Sequence, residues 1–325
     1  MTVLAHKYYA QSILPLSYSS RNTLHSCERR FELRKLYGHD RSEREESLPA
    51  EVGHTLHTGY QTYFATRDRD AAAAAFMLRY PAHLCNNRND QRSIEAAYLT
   101  LEEMMAHPID SRYKIAHINH NGVMKPAIEV PFRINISNVS LLSSGPNIAI
   151  CYDGFIDLIL LDTVTGDYCP LDIKTTKTWR TDYTAKYLYD DQCLPYGYIL
   201  QRVLNRPTTA FNVLYLVAYI DALKPRVYQY DFPVTEQRVQ EWAFTFAFEL
   251  NMLRQYAEMG FFPRRGSSCD GYGVCGYFDV CGYNNPDDIR AFLDSQFGPR
   301  SYDSDTIMKD FDPWFTINLT IEGLS

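Results

Sequence analysis

The chain has no apolar run approaching the roughly 18 residues that a membrane-spanning helix needs. It also lacks the G-x-x-x-x-G-K-[ST] loop of nucleotide-driven motors, any internal repeat and any low-complexity stretch. Glycine and proline, at 16 each in 325 residues, are far below the density of a collagenous or disordered chain. Positive charge is in deficit: 32 Lys and Arg against 39 Asp and Glu leave a formal net charge of -7. That sign excludes general attraction to polyanions, so contact with a phosphate backbone must come through local basic clusters or a bound metal. The N-terminus, MTVLAHKYYAQS, shows no basic start followed by an apolar core. Export is therefore not expected, and the N-x-[ST] matches at Asn135 and Asn318 read as incidental.

What is present is an ordinary globular composition, 46% hydrophobic and 22% charged, with 25 tyrosines and 8 cysteines. Periodicity and caps predict helices over Ser20–Leu36, Pro49–Thr66, Arg69–Arg79 and Ser93–His107. The period then changes to that of strands over Ala127–Ser137, Ile148–Leu161 and Tyr168–Lys174, joined by SSGPN (Ser143–Asn147) and TVTG (Thr163–Gly166). A helix over Thr184–Leu204, strands at Thr209–Ile220 and Arg226–Asp231 and a long helix over Thr235–Met259 follow. The stretch from Gly298 onward carries no clear period. This order predicts an α/β fold with a mixed central sheet flanked by helices. No linker composition divides it, so one domain over 1–325 is expected, with a core over about 49–231.

The richest stretch is CYDGFIDLILLDTVTGDYCPLDIKTTK, Cys151 to Lys177. Its turn is centred between Val164 and Thr165, so antiparallel partners should sum to 329 and Asp157 should oppose Asp172. Opposed side chains lie about 4.5–5.5 Å apart at Cβ, and like charges there are destabilising unless neutralised. A divalent cation with oxygen ligands does that. Lys174, two residues past Asp172, projects from the same face. Two acids and a lysine around a metal suit phosphodiester hydrolysis. An isolated D-x-K is more often a solvated salt bridge, but here the flanks (Phe155, Ile156, Leu158, Leu160, Leu171, Ile173) are apolar and favour an internal hairpin. Asp153 competes with Asp157 for the first acidic position, and the register favours Asp157.

Two further patterns flank the hairpin. Gly53 and His57 stand in G-x-x-x-H spacing on a predicted helix, and Gln192 and Tyr196 in Q-x-x-x-Y spacing after it. Pro195 lies inside the second pattern, so a helix must start or kink there. Gly53-x-x-x-His57, Asp157, Asp172-Ile173-Lys174 and Gln192-x-x-x-Tyr196, in this order, resemble the RecB-like branch of the PD-(D/E)XK nuclease superfamily. Cys27 on the first helix, with Cys269, Cys275 and Cys281 near the C-terminus and five residues between each neighbouring pair, resembles the iron–sulfur members of that branch, among them the AddB nuclease domain, CRISPR-associated RecB-like nucleases and stand-alone phage relatives. The resemblance covers about residues 17–285.

The resemblance implies a restriction-endonuclease-like core whose ends, about 17–38 and 260–285, are joined by a cysteine-ligated cluster. It implies that Asp157, Asp172, the Ile173 carbonyl and His57 hold Mg²⁺ or Mn²⁺, that Lys174 acts on the attacking water, and that Gln192 and Tyr196 steady the site. Glu129 is a possible auxiliary acid. The four cysteines suit a 4Fe-4S cluster, with Zn²⁺ the alternative; the absence of short C-x₂₋₄-C knuckles speaks against zinc. Arg29, Arg30, Arg34, Arg264 and Arg265 are candidates for guiding phosphates, against the plainer reading of a solvated face. The expected function is a metal-dependent DNA nuclease, an exonuclease on single strands or DNA ends, in recombination, repair or replication-linked processing. It would act in the cytoplasm of a bacterium or a phage-infected host, with a helicase or recombinase as possible partner. The alternatives are a non-catalytic iron–sulfur module that binds DNA or protein, and a redox sensor.

Overall fold

The computed structural model of the chain describes residues 9, 12–39, 48–85, 90–107, 109–143, 147–178, 183–188, 190–203, 210–269, 274–297 and 311–320. Among them no helix is long and apolar enough to cross a membrane. The fold is mixed α/β, with parallel and antiparallel strands in one sheet. The chain divides into two compact units, one of residues 1–44, 131–154 and 241–325, the other of residues 45–130 and 155–240.

In the first unit, strand β1 (Ile13–Leu16) pairs parallel with the beginning of β6 (Ala149–Asp162), Ile13 opposite Ala149. Strand β10 (Phe315–Thr320) pairs parallel with β5 (Ile128–Ser140), Phe315 opposite Phe132. Asn135 and Asn318 are register partners there, Asn135 Nδ2 donating to Asn318 Oδ1 at 3.2 Å. Gly154 is required in β6, because a Cβ would stand 2.6 Å from the Phe132 ring. Helix α1 (Tyr18–Ser26) starts at a Ser17–Ser20 capping box. The single helix predicted over 20–36 is interrupted: Cys27 has extended backbone (φ -165, ψ 109) before α2 (Glu28–Phe31) and a π-helical turn at Glu32–Leu36. Trp242 and Phe246, on α8 (Glu236–Met259), pack edge-on against Tyr152 with ring centroids 5.8 and 5.4 Å away. Arg21 forks onto Glu249 through two 2.7 Å bonds, a buried pair whose loss on one side would leave an uncompensated charge.

In the second unit, helices α3 (Leu48–Thr66), α4 (Arg69–Arg79) and α5 (Ile94–Ala106) match the predicted spans closely. They bury Val52, Leu56, Tyr60, Phe76, Leu101 and Met104 against Leu158 and Leu160 of β6, Leu171 and Ile173 of β7 (Tyr168–Thr176), and Leu214 and Leu216 of β8 (Ala210–Tyr219). Each fully buried side chain of this size contributes roughly 1.5–3 kcal/mol. The strand order continues β6-β7-β8-β9, with β9 (Arg226–Thr235) at the end and β2 (Tyr113–Ile115) on β6. Strands β3 (His117–His120) and β4 (Val123–Pro126) form a separate hairpin.

The β6–β7 register runs from Leu158 opposite Leu171 to Leu161 opposite Tyr168, partners summing to 329 as the turn predicts. Because side chains alternate, the leucines that enter the helical core leave Asp157, Asp172 and Lys174 on the other face. The helix predicted over 184–204 is two: α6 (Tyr183–Leu188) and α7 (Leu194–Val203). Pro195 is the cause, since it sits in the first turn of α7, where its missing N–H leaves nothing unpaired. The predicted end at Leu204, the start at Thr209 and residues 144–146 and 298–310 lie outside the described residues.

Candidate active site

Asp157, Asp172 and Lys174 of the hairpin all lie in the second unit. Asp172 is buried on β7, and its Oδ2 lies 2.5 Å from Lys174 Nζ. Asp157, on β6 just beyond the paired ladder, turns Oδ2 onto the Ile173 backbone N–H at 2.7 Å. The two carboxylates are thus tied to the same short piece of β7. Asp153, the competing candidate, is taken elsewhere: Arg133 forks onto it at 2.7 and 2.6 Å.

Helix α3 brings a third group. His57 Nδ1 stands 3.6 Å from Asp157 Oδ2. One ligand atom each from His57, Glu129 and Asp157 fall within 4.8 Å of one another, the spacing of donors that share a cation. Gly53 explains the G-x-x-x-H pattern physically, since a Cβ there would lie 3.1 Å from Thr175 Oγ1 of β7. The glycine lets α3 approach the strand that carries Asp172 and Lys174. Glu129 is held in left-handed backbone (φ 47), uncommon for a residue with a Cβ, and its Oε1 accepts from Gln61 Nε2 at 2.5 Å. Sequence reasoning did not single out Gln61. The available signal was its i,i+4 relation to His57 on one helix face.

The electrostatics are those of a site lacking a positive charge. Burial, with the Glu129 charge beside it, pushes Asp157 up to about 7. Burial, with Asp157 adding to it, pushes Asp172 up to about 6. Burial drives His57 down to about 4, so the imidazole is neutral and ready to ligate at ordinary pH. Burial opposes the charge of Lys174, but the Asp172 carboxylate more than offsets it and holds the ammonium above its usual range. Two carboxylates reluctant to ionise beside a neutral imidazole are a donor set that fits a divalent metal.

Gln192 knits the group together. Its Oε1 accepts from Lys174 Nζ at 2.7 Å, and its Nε2 donates to Asp172 Oδ1 at 3.1 Å and reaches Tyr196 Oη at 3.4 Å. Gln192 lies in the turn before α7, not on a helix with Tyr196. The spacing still works, because Asp190 Oδ1 accepts the Gln192 N–H and orients the turn.

The four cysteines singled out by spacing all lie in the first unit. Cys27 is buried at the interruption after α1, and the Cys275 N–H donates to the Cys269 carbonyl at 2.9 Å. Burial raises the Cys281 thiol, Arg264 and Arg29 lower it, and the sulfurs of Cys27 and Cys269 raise it again, so these groups are neighbours. Among the described residues, no three of the four sulfurs fall within 4.8 Å of one another. The arginines are largely committed. Arg29 is buried, pairing with Glu32 and donating to the Tyr283 carbonyl at 2.8 Å, which corrects its assignment to an exposed phosphate-guiding rim. Arg265 forks onto Glu28 at 2.9 and 2.5 Å, Arg264 donates to Asn284 at 3.2 Å, and Arg30 donates to Ser26. Arg34 lies in the π-helical turn. Of the remaining cysteines, Cys151, Cys169 and Cys193 are buried, and burial pushes the Cys151 thiol up to about 12, as expected of inert thiols.

A profile of the PD-(D/E)XK nuclease superfamily matches residues 15–282. No curated protein matches. Among solved structures, a "Putative exonuclease" from Eubacterium rectale is 16% identical, with 86% of this chain and 93% of that one covered and a TM-score of 0.47. The protein SSO0001 is 12% identical, with 72% and 86% covered and a TM-score of 0.28.

Proposed function

This chain belongs to the PD-(D/E)XK nuclease superfamily, and from that premise we propose that it is a metal-dependent deoxyribonuclease of the RecB-like, iron–sulfur branch, an exonuclease acting on single strands or DNA ends. The observation that carries the reading is the convergence of His57, Glu129 and Asp157 beside the Asp172–Lys174–Gln192 network. His57, Asp157, Asp172 and the Ile173 carbonyl would hold Mg²⁺ or Mn²⁺, with Glu129 as a further ligand. Bound there, the cation supplies charge stabilisation and a more acidic water. The chain's own residues do the rest. Lys174, kept charged by Asp172, aims an ammonium at the attacking water and the developing phosphate charge. Gln192 fixes both Lys174 and Asp172 in place, and Tyr196 closes the network behind it. Hydrolysis is complete when the water oxygen has joined phosphorus and the ester oxygen has left with a proton.

The count of four cysteines supports the cluster reading, with Cys27 on extended backbone and Cys27 and Cys269 both acting on Cys281, whose thiol burial holds above its usual range. A 4Fe-4S cluster there would staple the early helix to the C-terminal segment. The function would be strand or end processing in recombination, repair or replication, in the cytoplasm of a bacterium or a phage-infected cell, beside a helicase or recombinase.

The test is cleavage of end-labelled single- and double-stranded DNA by anaerobically purified protein in Mn²⁺, Mg²⁺ or EDTA, beside Asp172→Ala and Lys174→Ala. Metal-dependent products that vanish in both variants are expected. A wild type that binds DNA and is brown but cleaves nothing would favour the non-catalytic module instead.

A further inference from the structure

Helix α8 packs through one side and leaves the other bare. From Glu241 onward it belongs to the first unit. Trp242, Phe246, Leu250 and Leu253 are buried at the three- and four-residue spacing of one helix face. Opposite them, and one turn apart, Phe244 is 75% exposed and Phe248 65%. Met252, partly buried, continues that row by another turn, and exposed Glu241 and Gln255 bound it. The core does not call for the two phenylalanines, because Tyr152 is already packed by Trp242 and Phe246. Two bare rings on successive turns differ from the single apolar side chains scattered over an ordinary surface.

The row is symmetrical about Phe248. Apolar side chains stand four residues away in both directions, Phe244 and Met252, and uncharged or charged polar ones seven residues away, Glu241 and Gln255. A segment with that symmetry is complementary to itself reversed. Two copies of α8 laid antiparallel about a two-fold axis at Phe248 bring Phe248 onto Phe248 and Phe244 onto Met252, a ring against a thioether. They also bring the Glu241 carboxylate onto the Gln255 amide, which can donate to it. Each contact occurs twice, as a self-complementary interface requires. A parallel pair would instead set Glu241 against Glu241, so charge selects the antiparallel arrangement.

We infer that the outer face of α8 is a self-association surface, through which two copies of the chain form a two-fold dimer with antiparallel α8 helices. A helix of some other protein would also want apolar knobs here, but it would not need the row to read alike in both directions. With a bare ring of roughly 200 Å², the four phenylalanines of such a pair would withdraw about 560 Å² from water at the exposures observed. The methionines and helix flanks bring the total toward the ~1,200 Å² at which stable specific interfaces begin. The dimer is therefore reversible and depends on concentration.

The test is sedimentation equilibrium of the anaerobically purified full chain over a range of concentrations, beside Phe248→Asp, Phe248→Lys and an equimolar mixture of the two. The wild type should move from the mass of one chain toward that of two as concentration rises. Either variant alone sets like charges face to face at the two-fold axis and should associate at least about tenfold more weakly. The mixture sets Asp against Lys and should recover the dimer. Melting temperatures should stay near wild type, since position 248 is exposed, and this separates a lost surface from a lost fold. Benzoylphenylalanine in place of Phe244, photolysed and mapped by mass spectrometry, should crosslink to Met252 of a second copy. A wild type with the mass of one chain at every concentration would overturn the dimer and leave the face to another protein's helix. A dimer that survives Phe248→Asp lies elsewhere on the chain and would overturn it equally. Crosslinks from position 244 to position 244 would sink the antiparallel arrangement.

Discussion

Asp157 Oδ2 accepts the Ile173 backbone N–H at 2.7 Å. A carboxylate on one strand is thereby fixed to the residue between Asp172 and Lys174 on the next. The bond spans the point where the β6–β7 ladder ends, so the acid is held by a single backbone donor. Its remaining acceptor capacity is open to a metal.

Metal affinity should rise with pH and then level. Asp157 binds metal as the carboxylate, and its folded value of about 7 means a proton must be displaced below that pH. Apparent Mn²⁺ affinity should therefore climb more than tenfold per pH unit below about 6, where Asp172 also gives up a proton, up to about tenfold per unit from there to 7, and flatten above. His57, down at about 4, releases no proton in that window. The stability sign follows. Asp157 and Asp172 have raised folded values, so their contribution to the metal-free protein is present below their unfolded range and is lost as pH rises through about 6 and 7. His57 is depressed, so its contribution is present above its unfolded value and is lost as pH falls through about 4. The melting difference between Mn²⁺ and EDTA should widen from pH 5.5 to 8, and a constant difference would count against a metal at Asp157.

Glu129 should separate strain from ligation. Its left-handed backbone (φ 47) disfavours any residue with a Cβ by about 1 kcal/mol, and glycine not at all. Glu129→Gly should therefore melt higher than Glu129→Ala in EDTA, while both weaken Mn²⁺ binding. Gln61→Ala, which removes the donor to Glu129, should weaken it about tenfold. Titration calorimetry with Mn²⁺ and melts of the three variants test this.

Gly53→Ala should act through Thr175. The added methyl would sit 3.1 Å from Thr175 Oγ1, pushing α3 and His57 away from β7. Activity and Mn²⁺ affinity should both fall. Adding Thr175→Ala should restore them and leave the protein more stable than wild type, since alanine is favoured over glycine in a helix by about 1 kcal/mol. Unrescued loss in the double variant would mean that Gly53 serves something other than this approach.

On the proposed 4Fe-4S reading, loss of one cysteine ligand should release the cluster. Anaerobically purified protein should carry about four iron atoms per chain, and Cys27→Ala or Cys281→Ala should lose them, with a marked fall in melting temperature. Iron analysis distinguishes this from zinc, which would give one metal ion and no colour.

The carboxylate hairpin was legible because a strand pair joined by a short turn has its register set locally, and Val164–Thr165 marked the centre. The α3, α4 and α5 helices were legible from period and caps, as with Ser93 at the head of α5. Strand β10 was not, because its partner β5 lies some 180 residues upstream and a six-residue run reveals nothing of a parallel neighbour so distant. Nor was the interruption at Cys27, where the residues favour a continuous helix while packing against a late segment, with Arg29 N–H donating to the Pro263 carbonyl, selects extended backbone.

His57 entered only through the family resemblance, while residue chemistry and short-range spacing were enough for the fold class and for placing Asp157, Asp172 and Lys174 on one face. Those features depend on alternation along strands and on one helical turn, which any stretch of chain carries in itself. Tertiary structure alone decided that Glu129 joins His57 and Asp157 with Gln61 behind it, that Arg29 is buried in an ion pair, and that Asp153 belongs to Arg133. Each of these is settled by which distant segment arrives beside the residue and how much water it displaces, and that is a property of the packed chain.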